Sequence, residues 1–273
     1  QCNEYVKEHF VLARTDEYAH HVFTHFSPYL DCECVKLAKK LGHSESGFVY
    51  DNCIRIAFLL EDDFSYKDKW EEYFDSEFLD IALVKRFLTS VYSFAEESQF
   101  EQFFSSNIGF YQTKLNELKG IFDSSQFESV LSNFFKILQL PNMGVNLVPS
   151  LLNSNHGFEN GNALYASIGL FSENAKDIAP FDGGYQHIII HEFCHSFVNP
   201  LTEKLDLKQI KINKAATGYQ NPMSYVNETI TRALTIWIRA KMKSIDVNRY
   251  LEREKRAGFD NIGAVFEKIE DYN

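Results

Sequence analysis

The chain has 273 residues, 45% of them hydrophobic and 15% aromatic, which is enough apolar material for one large domain or two smaller ones and excludes a disordered polypeptide. A formal net charge of −11 argues against nucleic acid as a partner and favours solubility. The sequence holds no internal repeat, no low-complexity tract and no apolar run near the ~18 residues of a membrane span, so no transmembrane segment is expected in this chain.

Gln1-Cys2 opens the sequence without a methionine, which fits either a trimmed segment or a mature chain that has lost a signal segment. From Glu4 to Ala13, and on through Phe78 to Leu140, Phe and Leu recur at three- and four-residue intervals. This periodicity predicts a mainly helical region over residues 1–140, with Pro28 and Pro141 as the clearest breaks and residues 141–273 as a second region. The Phe-rich stretch from Phe87 to Phe135 reads as a core-facing stripe. His9, His20, His21, His25 and His43 follow no metal-ligand spacing. The five cysteines, Cys2, Cys32, Cys34, Cys53 and Cys194, contain no CxxC pair and leave an odd one, so no disulfide framework is expected. Cys32-Glu-Cys34 reads as small, partly buried side chains in preference to a soft metal site.

Beyond Pro141, Gly144–Val148 and Ala163–Phe171 read as strands, with Asn153–Gly161 as a polar loop between them. Tyr185–Val198, YQHIIIHEFCHSFV, reads as a helix of about four turns. The Asp182-Gly183-Gly184 turn starts it, and Asn199-Pro200 is its expected stop. This helix carries His191-Glu192-Phe193-Cys194-His195. Positions four apart on a helix differ by ~400° of rotation and ~6 Å of rise, so His191 and His195 project from one face and can bind the same ion. Glu192, on the adjacent face, is placed to hold a water and take its proton, the general-base role this pattern provides in zinc hydrolases. Burial of His, Glu and His without such a use would be costly.

A structural zinc site closes its shell with four protein ligands, whereas a catalytic site uses three and leaves one position open. His187 extends the series by a turn, but ~12 Å of rise separates it from His195, so cleft lining and helix-start packing are its two readings. Cys194 faces ~100° away from His195 and reads as packing. A second helical pattern begins at Ser224, with Val226, Ile230, Ala233, Leu234 and Trp237 as its apolar stripe. Glu228 lies off that stripe. It is either a metal ligand or a solvated glutamate paired with Arg232 at i,i+4.

HEFCHSFVNP at 191–200 and NETITRA at 227–233, preceded by HSESGFVYDNCIRIAFLL from His43, resemble the DUF4932 family of bacterial proteins known from Bacteroides and relatives. The resemblance covers most of the chain. The Asn227-Glu228 pair, 33 positions after His195, is similar to the third-ligand element of the gluzincins, the thermolysin-like metallopeptidases. That likeness implies His191, His195 and Glu228 as zinc ligands and Glu192 as the base. One departure stands out. Thermolysin-like enzymes carry an Asp four residues after the ligand Glu, where it accepts a hydrogen bond from a ligand imidazole; here that position is Arg232, which has no acceptor. Asn199, Thr231 or a backbone carbonyl would have to accept instead. Gluzincins also lay their substrate along a sheet edge, and Ala163–Phe171 is either that edge or part of a hairpin covering the core. The expected setting is extracytoplasmic in a bacterium, whether periplasmic, surface-anchored or secreted.

The expected fold is α+β and mainly helical: a gluzincin-like zincin core, comprising a small sheet, the HExxH helix and the third-ligand helix, together with a helical N-terminal half. The expected activity is zinc-dependent hydrolysis of peptide bonds in a peptide or protein substrate. Tyr219 and Tyr225 are candidate oxyanion donors, with packing as the plainer reading of each. Two rivals stand beside this reading. One is a catalytically silent zinc-binding module that holds a peptide or partner protein; the other is hydrolysis of a non-peptide amide in cell-wall material.

Overall fold

A computed structural model describes residues 17–42, 56–73, 80–135, 144–150, 155–160, 163–169, 184–202, 204–207, 219, 221–243 and 245–272. Cys2, His9, His43, Cys53, Phe171, Asp182 and Gly183, together with the Glu4–Ala13 pattern, lie outside these residues. The fold is α+β and mainly helical, and the chain divides into two compact units.

The first unit comprises residues 1–113 and 151–153. Its described helices are α1 (Glu17–Phe26), α2 (Glu33–Gly42), α3 (Ile81–Glu97) and most of α4 (Phe100–Ile121). Asp80 caps α3 by accepting from the Leu83 N–H at 2.9 Å, satisfying one of the donors left open at a helix start. Leu83, Val84 and Leu88 of α3 then pack with Leu37 and Leu41 of α2 and with Ile56, Leu59 and Trp70. Each such buried leucine contributes on the order of 1.5–3 kcal/mol.

The second unit comprises residues 114–150 and 154–273. It holds α5 (Ser124–Phe135), β1 (Gly144–Ser150), β2 (His156–Asn160), β3 (Ala163–Gly169), α6 (Gly184–Thr202), α7 (Pro222–Met242), α8 (Val247–Arg256) and α9 (Ile262–Tyr272). The boundary expected at Leu140 falls inside this unit, because α5 packs on α7. Phe134 lies 4.9 Å from the Trp237 ring centroid, and Gln126 Nε2 donates to the Met242 carbonyl at 2.8 Å. Of the phenylalanines read as a stripe, Phe103, Phe122, Phe127 and Phe134 are buried, whereas Phe104 and Phe110 stay exposed and stack on Tyr111 and Tyr18.

The strand order is β1-β3-β2, with β3 parallel to β1 and antiparallel to β2. One expectation changes and one alternative is decided here. Residues 156–160, expected within a loop, form a strand, and β1 and β2 are the edges among the described residues, so the 163–169 strand is central and pairs with β2 as a hairpin. Burial agrees with the central position, since Leu164, Ala166, Ser167 and Ile168 are all buried and a central strand is covered on both faces.

Helix α6 packs against β2 and β3. It starts at Gly184, whose φ of +47° favours glycine. Its expected stop at Asn199-Pro200 is overrun by a turn: the helix continues to Thr202, with Pro200 exposed. Thr202 Oγ1 donates to the carbonyls of Val198 and Asn199 and accepts from Asn227 Nδ2 at 3.0 Å, so hydrogen bonds hold the turn that the proline would otherwise loosen. Helix α7 starts two residues before the expected Ser224, with Pro222 in its first turn and Asn221 capping the Ser224 N–H at 2.7 Å. It contacts α5, α6, α8 and α9. From Ala233 to Arg239 every residue is buried, so α7 is the central helix of the unit.

Candidate metal centre

Helices α6 and α7 bring His191, His195 and Glu228 together. The two Nε2 atoms lie 3.2 Å apart; Glu228 Oε1 is 3.4 Å from His195 Nε2, and Oε2 is 3.7 Å from His191 Nε2. All three side chains are largely buried, and the three donor atoms can meet on one ion. The group could hold a metal ion. Two imidazole nitrogens do not face each other at this distance unless a cation or a proton lies between them.

A hydrogen-bonded pair of amides fixes the His195 ring. Its Nδ1 lies 3.2 Å from Asn227 Oδ1 and 3.3 Å from Asn199 Oδ1. Asn227 Nδ2 donates to Asn199 Oδ1 at 2.7 Å and to Thr202 Oγ1 at 3.0 Å, which sets the amide orientation. Both oxygens are acceptors, so Nδ1 carries the hydrogen and Nε2 is directed at the centre. Asn199 was one of the expected acceptors. Asn227 was not, and Thr231 contributes only through a 3.5 Å contact with Asn227.

Glu228 faces the histidines and also accepts from Arg232 Nε at 3.0 Å, so the i,i+4 pairing forms, although the carboxylate is largely buried and not solvated. Burial raises its pKa, but His195, His191 and Arg232 outweigh burial and hold it down at about 2. His191 is lowered to about 3 by burial, against the pull of Glu228. His195 goes the other way. Burial lowers it, yet its hydrogen bond and charge interaction with Glu228 raise it to about 9.

Glu192 lies one residue beyond His191 and is buried. Burial pushes its carboxyl up to about 7, while His195, His156 and the Gly157 N–H lower it. Gly157 is where β2 meets α6: a Cβ there would collide with the Glu192 carbonyl, so only glycine allows this approach. We expect Gly157→Ala to force strand and helix apart and to destabilise the fold by about 1–3 kcal/mol, read from denaturant unfolding. Unchanged stability would show that β2 and α6 are not in contact at this point. Neither Gly157 nor His156 stands out in the sequence, because HGFEN lacks the alternation of a strand.

The two tyrosines separate. Tyr219 has a phenol pushed up to about 12 by burial and by the Glu228 charge, and its hydroxyl interacts with Arg232 and Glu228. Tyr225 points elsewhere: its hydroxyl donates to the Gly258 carbonyl at 3.4 Å and its ring stacks on Phe259. It packs at the start of α7 and is not assembled with His191, His195 and Glu228. His187 is buried, with Nδ1 3.2 Å from Arg239 Nη1 and its ring stacked on Tyr250, which places it in packing and outside the metal group. Cys194 is fully buried with its thiol pushed up to about 12 by burial, as a packing residue should be. Cys32 and Cys34 are free thiols.

A family model described as "Domain of unknown function (DUF4932)" matches residues 4–273. The chain belongs to the DUF4932 family. No curated protein and no solved structure matches it. Within this DUF4932 chain, the histidine pair and the Asn227-Glu228 pair come from α6 and α7, consecutive helices among the described residues, and the packing of these two helices joins them into one centre.

Proposed function

We propose that this DUF4932 protein is a zinc-dependent metallopeptidase of gluzincin-like construction. The observation that carries the proposal is the buried His191, His195 and Glu228 donor set, with the Glu192 carboxyl buried beside it and its pKa raised by that burial. A binding module needs no proton acceptor there, whereas general-base catalysis works best when the base titrates near the working pH.

The donor set fits zinc. Bonds of ~2.0–2.1 Å to a tetrahedral ion put ligand atoms ~3.3–3.4 Å apart, close to the 3.2, 3.4 and 3.7 Å separations here. Two nitrogens and one carboxylate oxygen leave a fourth position for water or substrate, as catalytic centres do. When bound, zinc polarises a carbonyl and acidifies a water. Glu192 then takes the proton from the attacking water and passes it to the leaving nitrogen. Tyr219, whose hydroxyl interacts with Arg232 and Glu228, would hold the developing oxyanion, and β2, an edge among the described residues, would pair with an extended peptide.

The extracytoplasmic bacterial setting belongs to the same proposal. No helix among the described residues is long and apolar enough to cross a membrane.

The test is cleavage of a diverse peptide library read by mass spectrometry. We expect cleavage by the purified protein, loss of cleavage on adding a chelator, and recovery with zinc. Cleavage that persists in chelator would exclude the metal mechanism, and zinc-loaded protein that binds peptides without cutting them would favour the silent interaction module.

Zinc loading should also release about one proton near pH 7.5, because His195 must give up the proton it holds up to about 9. Affinity should therefore rise with pH until about 9 and weaken as pH falls. Calorimetry in buffers of different ionisation enthalpy measures the release. A value near zero would show that His195 is already neutral.

A further inference from the structure

Building on the metal-centre reading above, we propose that Glu254 is a positioning residue for the centre, acting through Arg232 on the Glu228 carboxylate. Arg232 reaches Glu228 Oε2 through Nε at 3.0 Å and Glu254 Oε2 through Nη1 at 2.8 Å, so one guanidinium bridges two carboxylates. The Phe259 ring covers the guanidinium face at 4.4 Å. Glu254 is 2% exposed. A carboxylate so deeply buried costs desolvation that a well-packed apolar residue would avoid, so its placement calls for a use other than stability.

The geometry supplies that use. Glu228 Oε1 faces His195, while Oε2 lies between His191 and Arg232. A guanidinium with Glu228 as its sole partner would compete with a metal for Oε2. Glu254 shares the guanidinium charge and fixes its plane, leaving Glu228 oriented and available to the ion. The Glu254 carbonyl accepts from the Phe259 N–H at 3.0 Å, so the single turn ending α8 grips both the edge and the face of Arg232.

The experiment is a double-mutant cycle in the full chain, with zinc affinity measured by competition with a chromophoric chelator. Wild type, Glu254→Gln, Arg232→Gln and the double variant are compared, and cobalt absorption spectra report the geometry of the centre. We expect Glu254→Gln to weaken zinc about 10–100-fold and to shift the cobalt spectrum. We expect no further loss when it is added to Arg232→Gln. Glu254→Asp, which retracts the same charge by one methylene, should fall between Gln and wild type, and if the Gln variant does not fold this comparison with wild type carries the test. Wild-type protein that fails to bind zinc would sink the metal-centre reading itself. Wild-type protein that binds zinc, with Glu254→Gln or Glu254→Asp indistinguishable from it, would overturn the Glu254 role alone. So would a Glu254→Gln loss that persists undiminished without Arg232.

Discussion

Glu192→Gln is expected to keep the fold and the zinc content of the wild type while losing several orders of magnitude in turnover, as removal of a general base should. The substitution is nearly isosteric and removes only the proton acceptor. Glu192 lies outside the His191, His195 and Glu228 group, so metal occupancy has no reason to change. The buried carboxyl is held up to about 7, so replacing it with a neutral amide also removes a charge that burial disfavours, and stability should hold or rise slightly. A carboxyl whose folded pKa lies above its unfolded value costs stability as pH rises from about 4.5 through about 7, and the Gln variant should lack that cost. Wild type and variant would be incubated with the same peptide library at equal zinc loading. Equal cleavage by both would remove Glu192 from the mechanism.

His191→Ala, His195→Ala and Glu228→Ala should each abolish tight zinc binding, because two remaining donors hold the ion far more weakly than three. The three variants should differ in their metal-free stability. Glu228→Ala leaves Arg232 with Glu254 as its carboxylate partner and takes from His195 the charge that raises it to about 9. It should be the most damaging of the three. His191, lowered to about 3, is neutral in the metal-free protein, so its removal costs mainly packing. Metal analysis of the purified variants, with thermal melts beside it, decides the assignment. Full zinc occupancy in Glu228→Ala would transfer the third ligand to another acidic residue or histidine.

The HExxH spacing was readable because a helix places i and i+4 on one face whatever the surrounding fold, and that regularity is local. The start of α7 is set just as locally, by Asn221 as cap and Pro222 in the first turn, yet the apolar pattern put it two residues later, at Ser224. Glu228 was half legible: its departure from the apolar stripe marked it as available, while its partner in space depended on how α6 and α7 pack. The Arg232 position showed that the usual acceptor was missing, but it could not reveal that Asn227 and Asn199 share the Nδ1 hydrogen of His195.

Tertiary structure decided the rest. Residues 156–160 looked like a loop, since His, Gly, Glu and Asn are poor strand formers, and pairing with a buried β3 overrode that preference. Gly157 then acquired its meaning from contact with Glu192, 35 positions away in sequence. Pro200 was read as a helix stop, yet side-chain hydrogen bonds from Thr202 and Asn227 carry α6 through it. Tyr219 and Tyr225 looked equivalent by position and are separated by the hydroxyl partners that packing supplies. The sequence by itself determined the donors that one helix presents, because backbone geometry alone sets their spacing. Which residues hold, orient and charge those donors was decided by contacts between distant helices and strands, where burial and long-range packing outweigh local preference.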